Sequence, residues 1–236
     1  MWHATQPAGR TDARPTVLML GMGWFPATLG GLDRYYRSLF EQLPEARGIA
    51  IGPAPDAPAR IEVVGHDAQP LALRLAGFWR AAQRAGRGTE IVDAHFALYA
   101  FAPLLLGRLR SIPSVFHFHG PWAQESRAAG RRSRAGFHAR RTLERAALHR
   151  ADAHVVLSGA FRRLLVERYR VDPWNIHVYP PGVDLDRFTP EGREAARRRL
   201  GLEPSAFVAV CVRRLVPRMG IDNLLDAWER LERLPE

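Results

Sequence analysis

The stretch TVLMLGMGWFPATLGGLDRYYRSLF, residues 16–40, decides how this chain is read. An apolar run enters a loop ending in Gly30-Gly31, and the loop opens onto a pattern with aromatic and aliphatic residues three or four apart. A strand, a glycine-bearing turn and a helix in that order make the opening βα unit of a parallel sheet. A second stretch, VAVCVRRLVPRMGIDNLLDAW at residues 208–228, has the same design. The first is followed by enough chain for a whole domain and the second by only a few residues, so the expectation is one complete domain and the start of another.

Between the two, short runs rich in Val, Ile and Phe alternate with longer helical patterns, the signature of βαβ units. Strands are expected at residues 16–20, 48–52, 61–64, 90–95, 114–119, 154–157 and 176–179, and helices beginning near Gly31, Pro70, Ala97, Ser133, Gly159 and Glu191. The fold class is α/β, a parallel sheet with helices on both faces. Pro180, Pro181 and Gly182 end the seventh strand, because proline lacks a donor and glycine permits a sharp turn. The expected organisation is a disordered lead-in over residues 1–15, a first domain over 16–184, a linker with a charged helix over 185–205, and a truncated second domain over 206–236. That last segment is expected to open with a buried strand at 206–213 and to leave apolar edges exposed around Val208 to Val212 and Leu224 to Trp228.

The 47% of hydrophobic residues are enough for a real core. The net charge of +10 invites a nucleic-acid reading, but all 34 basic residues are Arg, which looks like the mark of a GC-rich coding bias. The remaining charge is uneven: eight arginines from Arg127 to Arg150 face the single acid Glu144. The apolar residues among them fit a stripe packed on the sheet, or an amphipathic helix on an anionic membrane with Arg131, Arg132, Arg134, Arg140 and Arg141 at the headgroups. Nucleic acid is the weakest partner, because Phe137 is the only aromatic stacking residue in that run. The N-terminus has no basic start followed by an apolar core, and no stretch approaches the ~18 apolar residues of a membrane span. The expected location is cytoplasmic, with at most peripheral contact to the membrane. Cys211 is the one cysteine, so no internal disulfide forms.

In open parallel sheets, ligands bind beyond the carboxyl ends of the strands, where strand order reverses. Gly30-Gly31, His95, His119 and Arg213-Arg214 all fall at such ends. Glycines at the mouth of a helix let the backbone approach an anion, although an ordinary turn has the same look. In VFHFHGPW, His117 and His119 are two apart and share a face, and His119 stands at the strand end, where an imidazole can exchange hydrogen bonds near neutral pH. No Cys and no third ligand lies nearby in sequence, so no metal is expected. Arg214 and Arg218 bracket a strand end and a helix start, a placement that suits a diphosphate. Asp184-Leu185-Asp186 follows a Pro-Pro-Gly turn and reads as a turn or cap rather than a metal pair.

Taken in order, the Gly-Gly loop, HFHGPW, HVVLSGAFRRLL, VYPPGVDLDRF and VRRLVPRMGIDNLLDAW resemble the retaining GT-B glycosyltransferases of family four, the "group 1" family, over nearly the whole chain from Thr16. The resemblance implies a Rossmann-like N-terminal domain that binds the acceptor and a second one that binds a nucleotide-diphosphate sugar, with retention of configuration and no metal. It also implies that Gly30 and Gly31 contact the donor phosphates, that His119 bonds the donor sugar, and that Arg214 holds the diphosphate. Met219 stands where many members have Lys, which leaves Arg218 as the candidate replacement. The family's two glutamates eight apart are absent from this chain. His95 and Tyr99 are candidates for contact with a carbohydrate or lipid-linked acceptor, with a core role as the alternative. Two other readings compete: a non-catalytic membrane-surface or partner-binding module, and a sugar-nucleotide epimerase on the same fold.

Overall fold

Seven strands, β1 (Val17–Leu20), β2 (Arg47–Gly52), β3 (Ile61–His66), β4 (Ile91–Ala94), β5 (Ser114–Phe118), β6 (Ala153–Val156) and β7 (Ile176–Val178), run parallel in the order β3-β2-β1-β4-β5-β6-β7. Each lies within two residues of its expected bounds. The structure is a computed structural model that describes residues 14–130 and 133–232, the side chains of Arg218 and Glu232 excepted. The expected lead-in over residues 1–15 falls almost wholly outside them, as do Arg131 and Arg132.

The helices are α1 (Gly31–Glu41), α2 (Leu71–Ala85), α3 (Ala97–Leu105), α4 (Trp122–Ala128), α5 (Arg134–Arg150), α6 (Gly159–Leu164), α7 (Arg193–Leu200) and α8 (Ile221–Glu232). Ser133 caps α5 by accepting from Gly136 N–H, and Ser158 caps α6 by accepting from Phe161 N–H, each satisfying one of the orphan donors of a helix start. The short α4 has no counterpart among the expected helices.

Because strand side chains alternate, the central strands feed two cores. Leu18, Leu20, Ile49, Ile51, Val92, Ala94, Phe116 and Phe118 meet Phe78 of α2, Leu104 of α3 and Leu148 of α5. Met19, Ala50 and Ile61 point the other way, onto Tyr36 and Phe40 of α1 and onto Trp24. Burial on both faces is why the central strands read as continuous apolar runs. Tyr36 is fixed further by its hydroxyl, which lies 3.2 Å from the Met19 carbonyl and 3.3 Å from that of Ile49.

The described residues divide into two compact units, of which the first runs to Gln124, resumes over Ser133–Pro180 and holds the whole sheet. The second contains α7 and α8, and there the expectation of a buried strand at 206–213 fails. Residues 206–213 form no strand, and Val212 is 90% exposed. Apolar character alone cannot make a strand, because the ladder needs a partner's backbone donors and acceptors, and none among the described residues pairs with this segment. The apolar edges expected to be exposed are exposed: Val210, Val212, Leu224, Leu225 and Trp228 all reach solvent. Cys211 is exposed with them. Within the same unit Phe207 stacks on Trp228, with ring centroids 6.4 Å apart.

A Cβ added at Gly48 of β2 would run into Ile61 and the Tyr36 hydroxyl. Gly48→Ala should therefore lower the unfolding free energy by about 1–3 kcal/mol, through overpacking between α1 and the sheet. Urea unfolding checks this, and an unchanged midpoint would show that α1 yields without cost.

Candidate functional site

The order of the sheet reverses between β1 and β4, so a crevice opens beyond the carboxyl ends of those two strands. The chain leaving β1 forms the loop that ends in Gly30, the extended residue before α1. A Cβ at Gly30 would stand 2.7 Å from Asp33 Oδ2, whereas one at Gly31 would meet nothing within 4 Å, so the backbone at Gly31 is open to approach. Asp33 is buried in the first turn of α1, and its Oδ1 accepts from Gly23 N–H at 2.8 Å, tying the start of the loop to the helix. Burial raises its pKa, and the Gly23 bond partly offsets that.

Asp93 of β4 and His95 one residue past its end alternate, as do His117 of β5 and His119 one residue past its end, all on the face that α1 covers. The register pairs Asp93 with Val115 and Ala94 with Phe116, which sets His95 beside His117. Their rings stack with centroids 4.5 Å apart and planes 14° apart. Asp93 sits below both: Oδ1 is 3.0 Å from His117 Nε2, and Oδ2 is 3.5 Å from His95 Nε2. His119 Nε2 lies 3.5 Å from His95 Nδ1. From α1, the Tyr35 hydroxyl reaches His117 Nδ1 at 3.1 Å, and the Tyr35 ring meets His119 edge-on at 4.9 Å. Tyr36 meets His95 edge-on at 5.1 Å. The Tyr-Tyr pair of α1 is thus the wall of a histidine cluster.

The electrostatics follow from burial around one charge. Burial opposes ionisation of Asp93, but the imidazoles of His95 and His117 outweigh it and hold its pKa below the ordinary carboxylate value. Burial lowers the pKa of His95 against the pull of Asp93. Burial and the two neighbouring imidazoles bring His119 down to about 3, so it is neutral near pH 7. Tyr35 is pushed up by burial and by Asp93, and stays protonated.

Asp93, His95 and His117 each offer a ligand atom, all within 4.8 Å of one another. The fold thus supplies a neighbouring carboxylate and imidazole that were not apparent beside HFHG. A cation bound to both imidazoles must lie in both ring planes, however, and planes 14° apart through stacked rings do not meet within ligand distance. The arrangement suits one carboxylate under two parallel imidazoles.

The loop that follows His119 is pinned from behind. Buried Glu144 of α5 accepts from Trp122 N–H at 2.7 Å and from the Tyr169 hydroxyl at 2.7 Å. Tyr99, by contrast, is not brought to His95. It packs against Phe78 in the core on the other face, and its hydroxyl accepts from Arg74 at 3.0 Å. On α5, Arg134 and Arg141 are exposed, while Arg140 lies over the Trp122 ring. The apolar residues of α5, Ala147 and Leu148 among them, belong to the core. In the second unit, Arg214 is exposed, and Asp184 Oδ1 accepts from Asp186 and Arg187 N–H, closing a turn.

A model of Glycosyltransferase Family 4 matches residues 29–187, the span that carries the loop glycines and every member of the histidine cluster. The chain belongs to glycosyltransferase family 4. This family 4 chain is 35% identical over 164 residues to the D-inositol 3-phosphate glycosyltransferase of Geodermatophilus obscurus, across 70% of this chain and 36% of that protein. It is 34% identical over 166 residues to the protein of the same name from Kineococcus radiotolerans, across 69% and 38%. It therefore spans well under half the length of these curated relatives. Its fold is similar to that of sucrose-phosphate synthase from Thermosynechococcus elongatus, with a TM-score of 0.72 at 19% identity over 92% of this chain and 60% of that one. It is also similar to Anabaena HepE in complex with UDP and glucose, with a TM-score of 0.65 at 18% identity over 94% and 59%. At these identities the likeness is one of fold.

Sequence reasoning missed Asp93 and Tyr35. Asp93 had a signal, since a carboxylate inside the apolar run IVDA of a central strand must have a partner. Tyr35 had only its place one residue before a core tyrosine.

The cluster predicts a pH dependence of stability. An imidazole with a folded pKa below its ordinary 6.5 binds a proton more readily in the unfolded chain. Stability should therefore be full above about pH 6.5 and fall as the pH drops, for His119 down to about 3, with His95 adding in the same direction. Urea midpoints at pH 7.5 and pH 5 measure it, and His119→Gln should flatten the slope. An equal slope in that variant would place the linkage elsewhere.

Proposed function

We propose that this chain carries the acceptor side of a glycosyltransferase that moves a sugar from a nucleotide-diphosphate sugar to a carbohydrate or lipid-linked acceptor, with retention of configuration. In this reading residues 16–184 bind the acceptor, residues 185–205 link, and residues 206–236 open the donor-binding domain. The observation that carries it is the histidine cluster, which closes the carboxyl edge of the sheet at the strand-order reversal on the face covered by α1, the helix that Gly30 and Gly31 open, within the family's matched span. His119 is the residue that bonds the reacting sugar. Gly30, Gly31 and Arg214, with Arg218, hold the diphosphate as charge develops on it. His95 is buried beside His119 and acts through it, and Tyr99 is a core residue.

The activity for which the relatives are named supports a sugar transfer to a polyol phosphate, and the nucleotide seen with HepE supports a uridine diphosphate donor. No metal enters this mechanism, because the imidazole planes do not converge and the arginines supply the positive charge on the diphosphate. No helix among the described residues is long and apolar enough to cross a membrane. We place the protein in the cytoplasm, where Arg134 and Arg141 would meet an anionic surface. By itself the 236-residue chain is expected to show no enzyme-like turnover.

The test uses the complete gene product with UDP-glucose and inositol 3-phosphate. His119→Ala should lower kcat about 10–1,000-fold, in the range of a lost transition-state hydrogen bond. Arg214→Ala should raise the Kd for the sugar nucleotide about 10–100-fold, as expected for a charge-assisted bond. An unchanged rate in the first variant, or an unchanged Kd in the second, would remove that residue from the mechanism.

A further inference from the structure

The contacts around Asp93 leave a question of direction. Each imidazole nitrogen either donates or accepts, and proximity does not say which. Four facts decide it. An ionised carboxylate only accepts. Asp93 Oδ1 and His95 Nε2 are buried and have no hydrogen-bond partner of good geometry among the described residues, so each has only the cluster to turn to. His95 and His119 lie nearly coplanar, 21° apart with centroids 5.7 Å apart, as two rings do when a nitrogen of one faces a nitrogen of the other end to end. The remaining nitrogen of His117 faces a hydroxyl, which can donate.

From the carboxylate outward only one assignment is self-consistent. The nitrogens facing Asp93, Nε2 of His117 and Nε2 of His95, carry their protons, because a lone pair against a carboxylate repels. Taken with one proton per ring, as burial favours for His95 and His119, each Nδ1 is a lone pair. His117 Nδ1 then accepts from the Tyr35 hydroxyl, and His95 Nδ1 accepts from His119 Nε2. With its Nε2 proton committed, His119 has only an unprotonated Nδ1 to offer.

We infer that Asp93 is a positioning residue that fixes the tautomers of His95, His117 and His119, so that His119 presents an acceptor nitrogen and its ligand must bring the donor. The tautomer assignment stands on the geometry of the cluster together with one proton per ring. Its consequence for specificity rests on the proposed role of His119: the group recognised there is a free hydroxyl of the sugar, not a carbonyl or phosphate oxygen. Asp93 touches no substrate in this scheme and acts through His95.

Long-range proton–nitrogen spectra of the 236-residue chain with labelled histidine, at pH 7.5, read the tautomers directly. The expected result is a protonated Nε2 and an unprotonated Nδ1 on all three rings. A His119 protonated at Nδ1 overturns the inference. Asp93→Asn offers one oxygen acceptor and one N–H donor, so at least one of His95 and His117 should switch tautomer, and His119 should follow if it is His95. Unchanged spectra in a folded variant overturn the inference as well. If Asp93→Asn does not fold, the wild-type spectrum decides alone, and Tyr35→Phe, expected to move only the His117 signals, serves as the second variant. A separate arm adds UDP-glucose to the complete gene product. If the tautomers are as stated but the His119 Nδ1 signal does not move on saturation, the donor-sugar role of His119 fails while the role of Asp93 stands.

Discussion

A buried carboxylate on the central strand governs the organisation of this site. Asp93 lies where the sheet is covered on both faces, and an ionised group there is tolerated only if it is paired. The pairing comes from two histidines on one face of adjacent strands, and their second nitrogens create a further demand in turn. Tyr35 and His119 meet that demand. One charge therefore specifies what can stand at four other positions, and ties helix α1 to the strand end at which chemistry is proposed.

The same helix bears the other half of the site. Its buried face, Tyr36 and Phe40, is an ordinary core element packed on Met19, Ala50 and Ile61. Its N-terminal turn is held to the loop by Asp33, and its exposed start at Gly31 leaves backbone open to an approaching anion. Packing and the proposed ligand contact are thus built on one rigid element, which keeps the loop, the tyrosine wall and the histidines in fixed relation. On the far side of His119, Glu144 and Tyr169 hold the departing chain through a second buried carboxylate.

The strands were legible because burial on both faces writes an uninterrupted apolar run, and all seven emerge close to where the runs lie. The segment at 206–213 has the same composition and forms no strand. Val210 and Val212 are as apolar as any residue in β1, but a strand is a property of a pair of backbones, and this one has no pair among the described residues. The basic stretch was ambiguous in a similar way. Its Leu and Ala residues could have faced a sheet or a membrane, and the core residues Ala147 and Leu148 show that they face the protein.

By itself the sequence determined the α/β class, the positions of the strands and of all but one short helix, and the strand ends at which Gly30, His95 and His119 stand. It could do so because local periodicity and punctuation by glycine and proline are functions of neighbouring residues alone. Only the tertiary structure decided which strands adjoin, and with that came everything chemical about the site. Tyr99, four residues from His95, went to the opposite face, while Tyr35 and Asp93, 58 positions apart by their numbers, became members of one cluster through His117. Strand order is fixed by how two cores close around a sheet, and no spacing along the chain encodes which side chains that closure brings together.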